Sequence, residues 1–222
     1  MSTKRNSNVT SMERTKGLVQ MGIFSALIFV LAFTPFVGYI PLGFTRATII
    51  HIPVIMGSLM LGPKKGAMLG GVFGLTSFLN NTFNPTITSF VFTPFYSLGE
   101  YSGGLGSLVI CFLPRILIGV IPYFIYRFII KVTREKKVSV AGLALAGISG
   151  SLTNTLLVMN LIYFFFKDSY AAANGVASEA VYGFIMGIIG VNGIPEAIVA
   201  AVLVVILGKT LMRKGVMERM GV

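Results

Sequence analysis

Apolar runs of about 20 residues recur along this chain with only short polar clusters between them, and a run of that length crosses a bilayer as a helix. Hydrophobic residues make up 55 % of the 222 and charged residues only 11 %, where a soluble domain carries about 25 % charged residues. The sequence therefore reads as an all-α integral membrane protein. The net charge of +11 does not point to nucleic acid, because the charges sit in short clusters between apolar runs, as the positive-inside rule distributes them. The single cysteine, Cys111, lies inside an apolar run, so the sequence offers neither a disulfide framework nor a metal-ligand spacing.

Six membrane-spanning helices are expected, at about 17–34, 49–61, 67–81, 105–130, 140–166 and 195–212. They form one membrane domain over 17–212, between basic cytoplasmic tails at 1–16 and 213–222. The first run has no A-x-A-like cleavage site and reads as a retained helix, not a signal peptide. The segment 180–194 is apolar only from Ala180 to Val191, shorter than the roughly 17 residues a crossing needs. All Lys and Arg residues except Arg46, Arg115 and Lys167 fall in four segments: the N-terminal tail, the "PKK" turn, the loop from Arg127 to Lys137 and the C-terminal end from Lys209 onward. Six crossings place these four segments on one side, whereas a seventh would put the C-terminal basic residues outside. Segment 180–194 is accordingly expected as a short re-entrant or interfacial helix before the last span, with both termini cytoplasmic. The outer loops are long, poor in charge and rich in Pro, Gly, Asn, Thr and aromatics, which suits an outward-facing pocket.

Few residues in such a chain can carry chemistry. Arg115 follows Pro114 about ten residues into the fourth helix, where an unpaired charge costs at least about 2.5–3.5 kcal/mol. Two roles are open to it. It can be structural, pairing with Glu196 or Glu100 or bonding carbonyls freed by Pro114, or it can anchor a ligand carboxylate through its planar fork. Arg46, in the first outer loop, is either an interface anchor or a second ligand contact. His51, the only histidine, reads as structural. Asn80 and Asn81 suit caps at the end of the third helix, and Asn80 is also a candidate ligand contact. Asn154 and Asn160 point to different faces of the fifth helix. Asn160, nearer the outer end, is the preferred pocket residue. Asn192, beside "GIP", is a candidate where a broken helix would expose backbone to a cavity. Tyr96, with Tyr39, Phe92 and Phe95, would serve a ligand that stacks on aromatics.

Two apparent catalytic signals fail. "GISG" (147–150) holds Ser149 near the cytoplasmic end of its helix, far from His51, and a nucleophile needs its base at about 3 Å. "GPKKGAMLGG" lacks the order of a phosphate-binding loop. No catalytic residue, metal or cofactor is therefore assigned. Gly22 and Ala26 form a small-x-x-x-small pair on the first helix, which suits close packing by another helix, inside the bundle or outside it.

With six short helices and that pair, the stretches "HIPVIMGSLMLGPKKGAMLGGVFGLTSF", "FVFTPF", "LPRILIGV" and "GVNGIPEAIVAA" carry a resemblance. From about Gly17 to Met212 the chain resembles the substrate-binding S components of energy-coupling factor (ECF) vitamin transporters, and among these it is most similar to the pantothenate group. The resemblance implies a plasma-membrane subunit that binds a vitamin at its outer face and works with a membrane scaffold subunit and two ATPases. Gly22 and Ala26 match the positions of the family's A-x-x-x-A scaffold contact, with glycine in place of the first alanine. Pantothenate would pair its carboxylate with Arg115 or Arg46 and its amide and hydroxyls with Asn160, Asn80, Thr76 or Thr93. Riboflavin, folate or a thiamin precursor remain alternative ligands, and an autonomous secondary transporter with Glu196 as its coupling residue remains an alternative class.

Overall fold

Glycines and prolines set most of the helix boundaries. The computed structural model describes the backbone of residues 2–34, 39–42, 45–134 and 138–212, and side chains over 15–34, 48–134 and 138–212. Helix α1 (Ser2–Phe33) leads to a hairpin of two strands, β1 (Tyr39–Leu42) and β2 (Thr45–Thr48), paired antiparallel with Pro41 opposite Arg46. Helix α2 (His51–Leu61) stops at Gly62, whose φ of 91° is a conformation that favours glycine. Pro63 then opens α3 (Pro63–Phe83), where its missing N–H would have had no partner anyway. A 3-10 turn (Ser89–Val91) and a second small hairpin, β3 (Ser97–Leu98) with β4 (Tyr101–Ser102), precede α4 (Leu105–Ile118) and α5 (Ile121–Thr133). Helix α6 (Val140–Ala173) is capped by Ser139, whose Oγ accepts the Gly142 N–H at 3.0 Å. Helix α7 (Val181–Ile188), a π turn (Ile189–Gly193) and α8 (Ile194–Leu211) follow.

The described helices fall into six segments, with α4–α5 and α7–α8 as the broken pairs. Among the described residues, four stretches are long and apolar enough to cross a membrane: Thr15–Phe33, Leu105–Thr133, Val140–Ala173 and Val181–Leu211. The expected separate helix over 180–194 is not separate, because α7 runs through the π turn directly into α8. Pro195 cannot donate the next α-type bond, and the wider i→i+5 bonding of the π turn carries the chain past it. The expected fourth helix is instead divided at Gly119–Val120, and the fifth continues to Ala173 beyond a non-helical Phe166. Helix α1 begins at Ser2, well before the expected start at 17.

Helix α2 is the central post. Nine of its eleven residues are buried, and it packs against α1, α3, α4, α5, α6 and α8. A helix that is apolar all round belongs in an interior. One core gathers Ile55, Leu69, Ile118, Leu143 and Val204 around it. A second joins Phe90, Ile110, Ile162, Val181 and Ile185 nearer the loops that follow α3. Gly66, Gly70 and Gly74, four residues apart, bring α3 and α4 backbone to backbone. A Cβ on Gly66 would fall on the Gly119 carbonyl oxygen and one on Gly70 on the Arg115 carbonyl oxygen, while one on Gly74 would lie 2.7 Å from the Phe112 ring. Ser58 Oγ donates to the Gly119 carbonyl at 2.6 Å, and Cys111 Sγ to that of Gly74 at 3.3 Å. This small-residue seam fixes where Arg115 stands relative to α3.

Candidate functional site

The C-terminal turns of α3 and its cap residue Asn84 carry a stripe with helical spacing: Phe73, Thr76, Ser77, Asn80, Asn81 and Asn84 all line one cavity of about 300 Å³. This stripe explains why α3, although 21 residues long, is not among the stretches apolar enough to cross a membrane. Its polar ends hold one another in place. Asn84 Nδ2 donates to Asn80 Oδ1 at 3.2 Å, Asn81 Nδ2 to the Ser77 carbonyl at 2.8 Å, and Ser89 Oγ to Asn81 Oδ1 at 2.7 Å. The last bond ties the stripe to the 3-10 turn, which Ser107 Oγ in turn fastens to α4 through the Phe90 carbonyl at 2.7 Å. Loop, stripe and α4 therefore form one connected wall.

Arg115 faces the stripe from α4. It is only 7 % exposed, and its guanidinium carbon lies 5.7 Å from the Phe73 ring centre and 5.3 Å from that of Phe92. Its Nη1 donates to the Ile110 carbonyl at 2.7 Å. That carbonyl is the one Pro114, four residues on, cannot bond. The proline and the arginine are thus a matched pair: one frees an acceptor, and the other fills it and is aimed by it. The remaining donors of the fork belong to a side chain that lines the cavity.

The other walls come from Ala32 on α1, Thr48 and Ile50 beside the first hairpin, Thr86, and Asn154 on α6. Asn154 Oδ1 is buried with no hydrogen-bond partner among the described residues. Glu196, at the start of α8, is buried too; its Oε1 accepts the Thr48 N–H at 2.9 Å, and its Oε2 accepts Thr155 Oγ1 at 3.4 Å. The cavity thus offers a buried guanidinium between two aromatic rings, then a run of amides and hydroxyls, with apolar contacts from Ala32 and Ile50. Chemically this suits a small anion whose other groups are neutral hydrogen-bonders.

Comparison with known proteins places this architecture. Residues 16–208 match the family described as the ECF transporter, substrate-specific component. The chain belongs to that family. It is 38 % identical over 186 residues to the pantothenic acid transporter PanT of Lactococcus lactis subsp. cremoris, covering 82 % of this chain and 87 % of the relative. It is 30 % identical over 223 residues to the pantothenate transporter PanT of Leuconostoc mesenteroides subsp. mesenteroides, covering 96 % and 98 %. The family resemblance read from the sequence and the membrane location are therefore shown.

Within this family member the candidate residues are not all brought together. Arg115 and Asn80 line the cavity, as do Thr76 and Asn81. Asn160 lies outside it, exposed, with Nδ2 donating to the Leu156 carbonyl of its own helix at 2.7 Å; Asn154 occupies the cavity wall instead. Asn192 sits half-buried in the π turn, and Tyr96 packs half-buried against the second core, both away from the cavity lining. Arg46 is in β2, and its side chain is outside the described residues. His51 is buried at the start of α2 and does not line the cavity. Gly22 and Ala26 are both exposed on α1, and among the described residues a Cβ on Gly22 would meet nothing within 4 Å. Ser149 Oγ donates to the Ala146 carbonyl of its own helix at 3.0 Å, while Gly147 and Gly150 lie against Ala200 and Ile55. Ser77, Asn84 and Thr86 were not anticipated, although the spacing of Thr76, Ser77, Asn80, Asn81 and Asn84 was there to be read as one helix face.

Proposed function

We propose that this chain is the pantothenate-binding subunit of an ATP-driven ECF importer, embedded with six spans and both termini cytoplasmic. The observation that carries the reading is the cavity, where Arg115 stands across from the amide and hydroxyl stripe of α3. Pantothenate has one carboxylate for the guanidinium, an amide and two hydroxyls for Asn80, Asn154 and Thr76, and a gem-dimethyl group for Ile50 and Ala32. Two relatives named as pantothenate transporters support the same ligand. A flavin or pterin would call for stacking platforms, and the cavity's two rings, Phe73 and Phe92, already face the guanidinium. Delivery depends, on this reading, on a membrane scaffold and two ATPases, with the exposed Gly22–Ala26 face of α1 as the scaffold contact.

The test is equilibrium binding of a panel of water-soluble vitamins to the detergent-purified chain, with Arg115→Ala beside it. Pantothenate alone should bind tightly, and the variant should lose at least about 30-fold, as expected when one partner of a buried charge pair is truncated. Tight binding of riboflavin, folate or a thiamin precursor instead would reassign the ligand. An Arg115→Ala chain that binds pantothenate as well as the parent would make Arg115 a purely structural residue.

A further inference from the structure

The cavity wall at Thr48 is held by a residue that does not line the cavity. Strand β2 packs against both the π turn and α8. Glu196, one turn beyond the π turn, takes the Thr48 N–H on one carboxylate oxygen at 2.9 Å and Thr155 Oγ1 of α6 on the other at 3.4 Å. Gly193 closes the π turn onto the same threonine, since a Cβ there would lie 3.1 Å from Thr155 Cγ2. Three elements thus meet at one carboxylate. The first hairpin is joined to it by a backbone N–H, a donor that among side-chain changes only proline at 48 would remove.

We infer that Glu196 is a positioning residue for ligand retention: it latches the β1–β2 hairpin onto the α6–α8 pair and so holds Thr48 in the cavity wall. This rests on reading the cavity as the ligand site. The π turn is the device that makes the latch possible. An inserted i→i+5 turn shifts the helix after it relative to the helix before it, and here the residue presented to the hairpin after that shift is Glu196. A buried carboxylate is expensive unless its oxygens are engaged, and both oxygens are engaged here, one of them by the hairpin itself. Displacing Thr48 would strand that oxygen, which favours the observed position of β2 against α8.

The chemistry needs an acceptor at each oxygen position or its equivalent, and does not need the charge. Glutamine keeps a carbonyl oxygen for the Thr48 N–H, and its amide can donate to Thr155 Oγ1, which accepts as well as donates. Alanine removes both bonds. The experiment is a pair of measurements on the full purified chain, wild type against Glu196→Ala, Glu196→Gln and Thr155→Val. Hydrogen exchange at the Thr48 amide needs no ligand: the alanine variant should lose protection, and the glutamine variant should keep it. Stopped-flow binding of pantothenate should then show dissociation about tenfold faster in Glu196→Ala with association unchanged or faster, near-parental rates in Glu196→Gln, and an intermediate effect in Thr155→Val. Unchanged exchange at Thr48 in Glu196→Ala would overturn the latch, whatever the ligand. So would equal weakening by alanine and glutamine, which would make the charge itself the active feature. If the parent chain binds no pantothenate, the ligand reading fails, and the exchange result still decides the latch.

Discussion

Arg115 and Asn154 contribute to the cavity in opposite ways, and their variants should separate binding from stability. Arg115 is aimed by a backbone acceptor, the Ile110 carbonyl that Pro114 leaves open. Lysine at 115 can reach that carbonyl or a ligand carboxylate but cannot fork to both, so Arg115→Lys should bind more weakly than the parent and more tightly than Arg115→Ala. Titration calorimetry on the three chains checks the order. Asn154 carries a buried Oδ1 with no protein partner among the described residues, an arrangement that costs about 1–3 kcal/mol. Asn154→Leu should therefore raise the melting temperature of the ligand-free chain while weakening ligand binding about tenfold. Asn160→Leu, on an exposed position bonded to the Leu156 carbonyl of its own helix, should leave affinity unchanged. The sequence made Arg115 conspicuous because a charge beside a proline in an apolar run has few bland explanations. It preferred Asn160 to Asn154 on depth in the membrane, and depth does not report which face of the helix a residue occupies. Face decided: the buried residues of α6 run through Gly150, Ser151, Thr155, Val158 and Ile162, beside Asn154 and away from Asn160.

Between elements, the α3–α4 seam controls the site from behind. Gly70 has no room for a Cβ because the Arg115 carbonyl occupies that space. Gly70→Ala should push α4 outward at a cost of about 1–3 kcal/mol, and it should lower affinity as well, because Arg115 moves with its backbone. Gly71, one residue on, faces open space, and Gly71→Ala should be neutral or stabilising by roughly 0.5–1 kcal/mol through helix propensity. Thermal melts with and without ligand distinguish the two. Helix positions were readable from apolar runs bounded by Gly62–Pro63 and Ser139, whereas the division at Gly119 lies inside one continuous apolar run and was not. The join between α7 and α8 was not, because "VNGIP" reads as a break, and only the hydrogen-bond pattern shows a π turn carrying the helix through. The polar face of α3 went unread as a face because each asparagine had a satisfactory local explanation as a cap.

At the scale of the molecule, α1 stands apart. Its apolar stretch, Thr15–Phe33, is only 11 % buried, while α2 is enclosed by other helices on all sides. Leu18, Val19, Ile23, Leu27 and Val30 are exposed along it, with Gly22 and Ala26 forming a shallow gap among them. Lipid tails cover a leucine face as readily as another helix does, so the exposed leucines decide nothing; the small pair does, because close backbone approach is what drives helices together where no hydrophobic effect operates. Filling the gap should therefore separate two activities that share one chain. The double change Gly22→Leu, Ala26→Leu leaves the cavity untouched, since Ala32 is the residue by which α1 reaches it. Purified, the variant should bind pantothenate like the parent; in cells that depend on uptake, it should import little and should fail to co-purify with its membrane partner. Uptake at the parental rate would mean that α1 faces lipid throughout the cycle, and a joint loss of binding and uptake would mean that the α1 face supports the cavity rather than a partner.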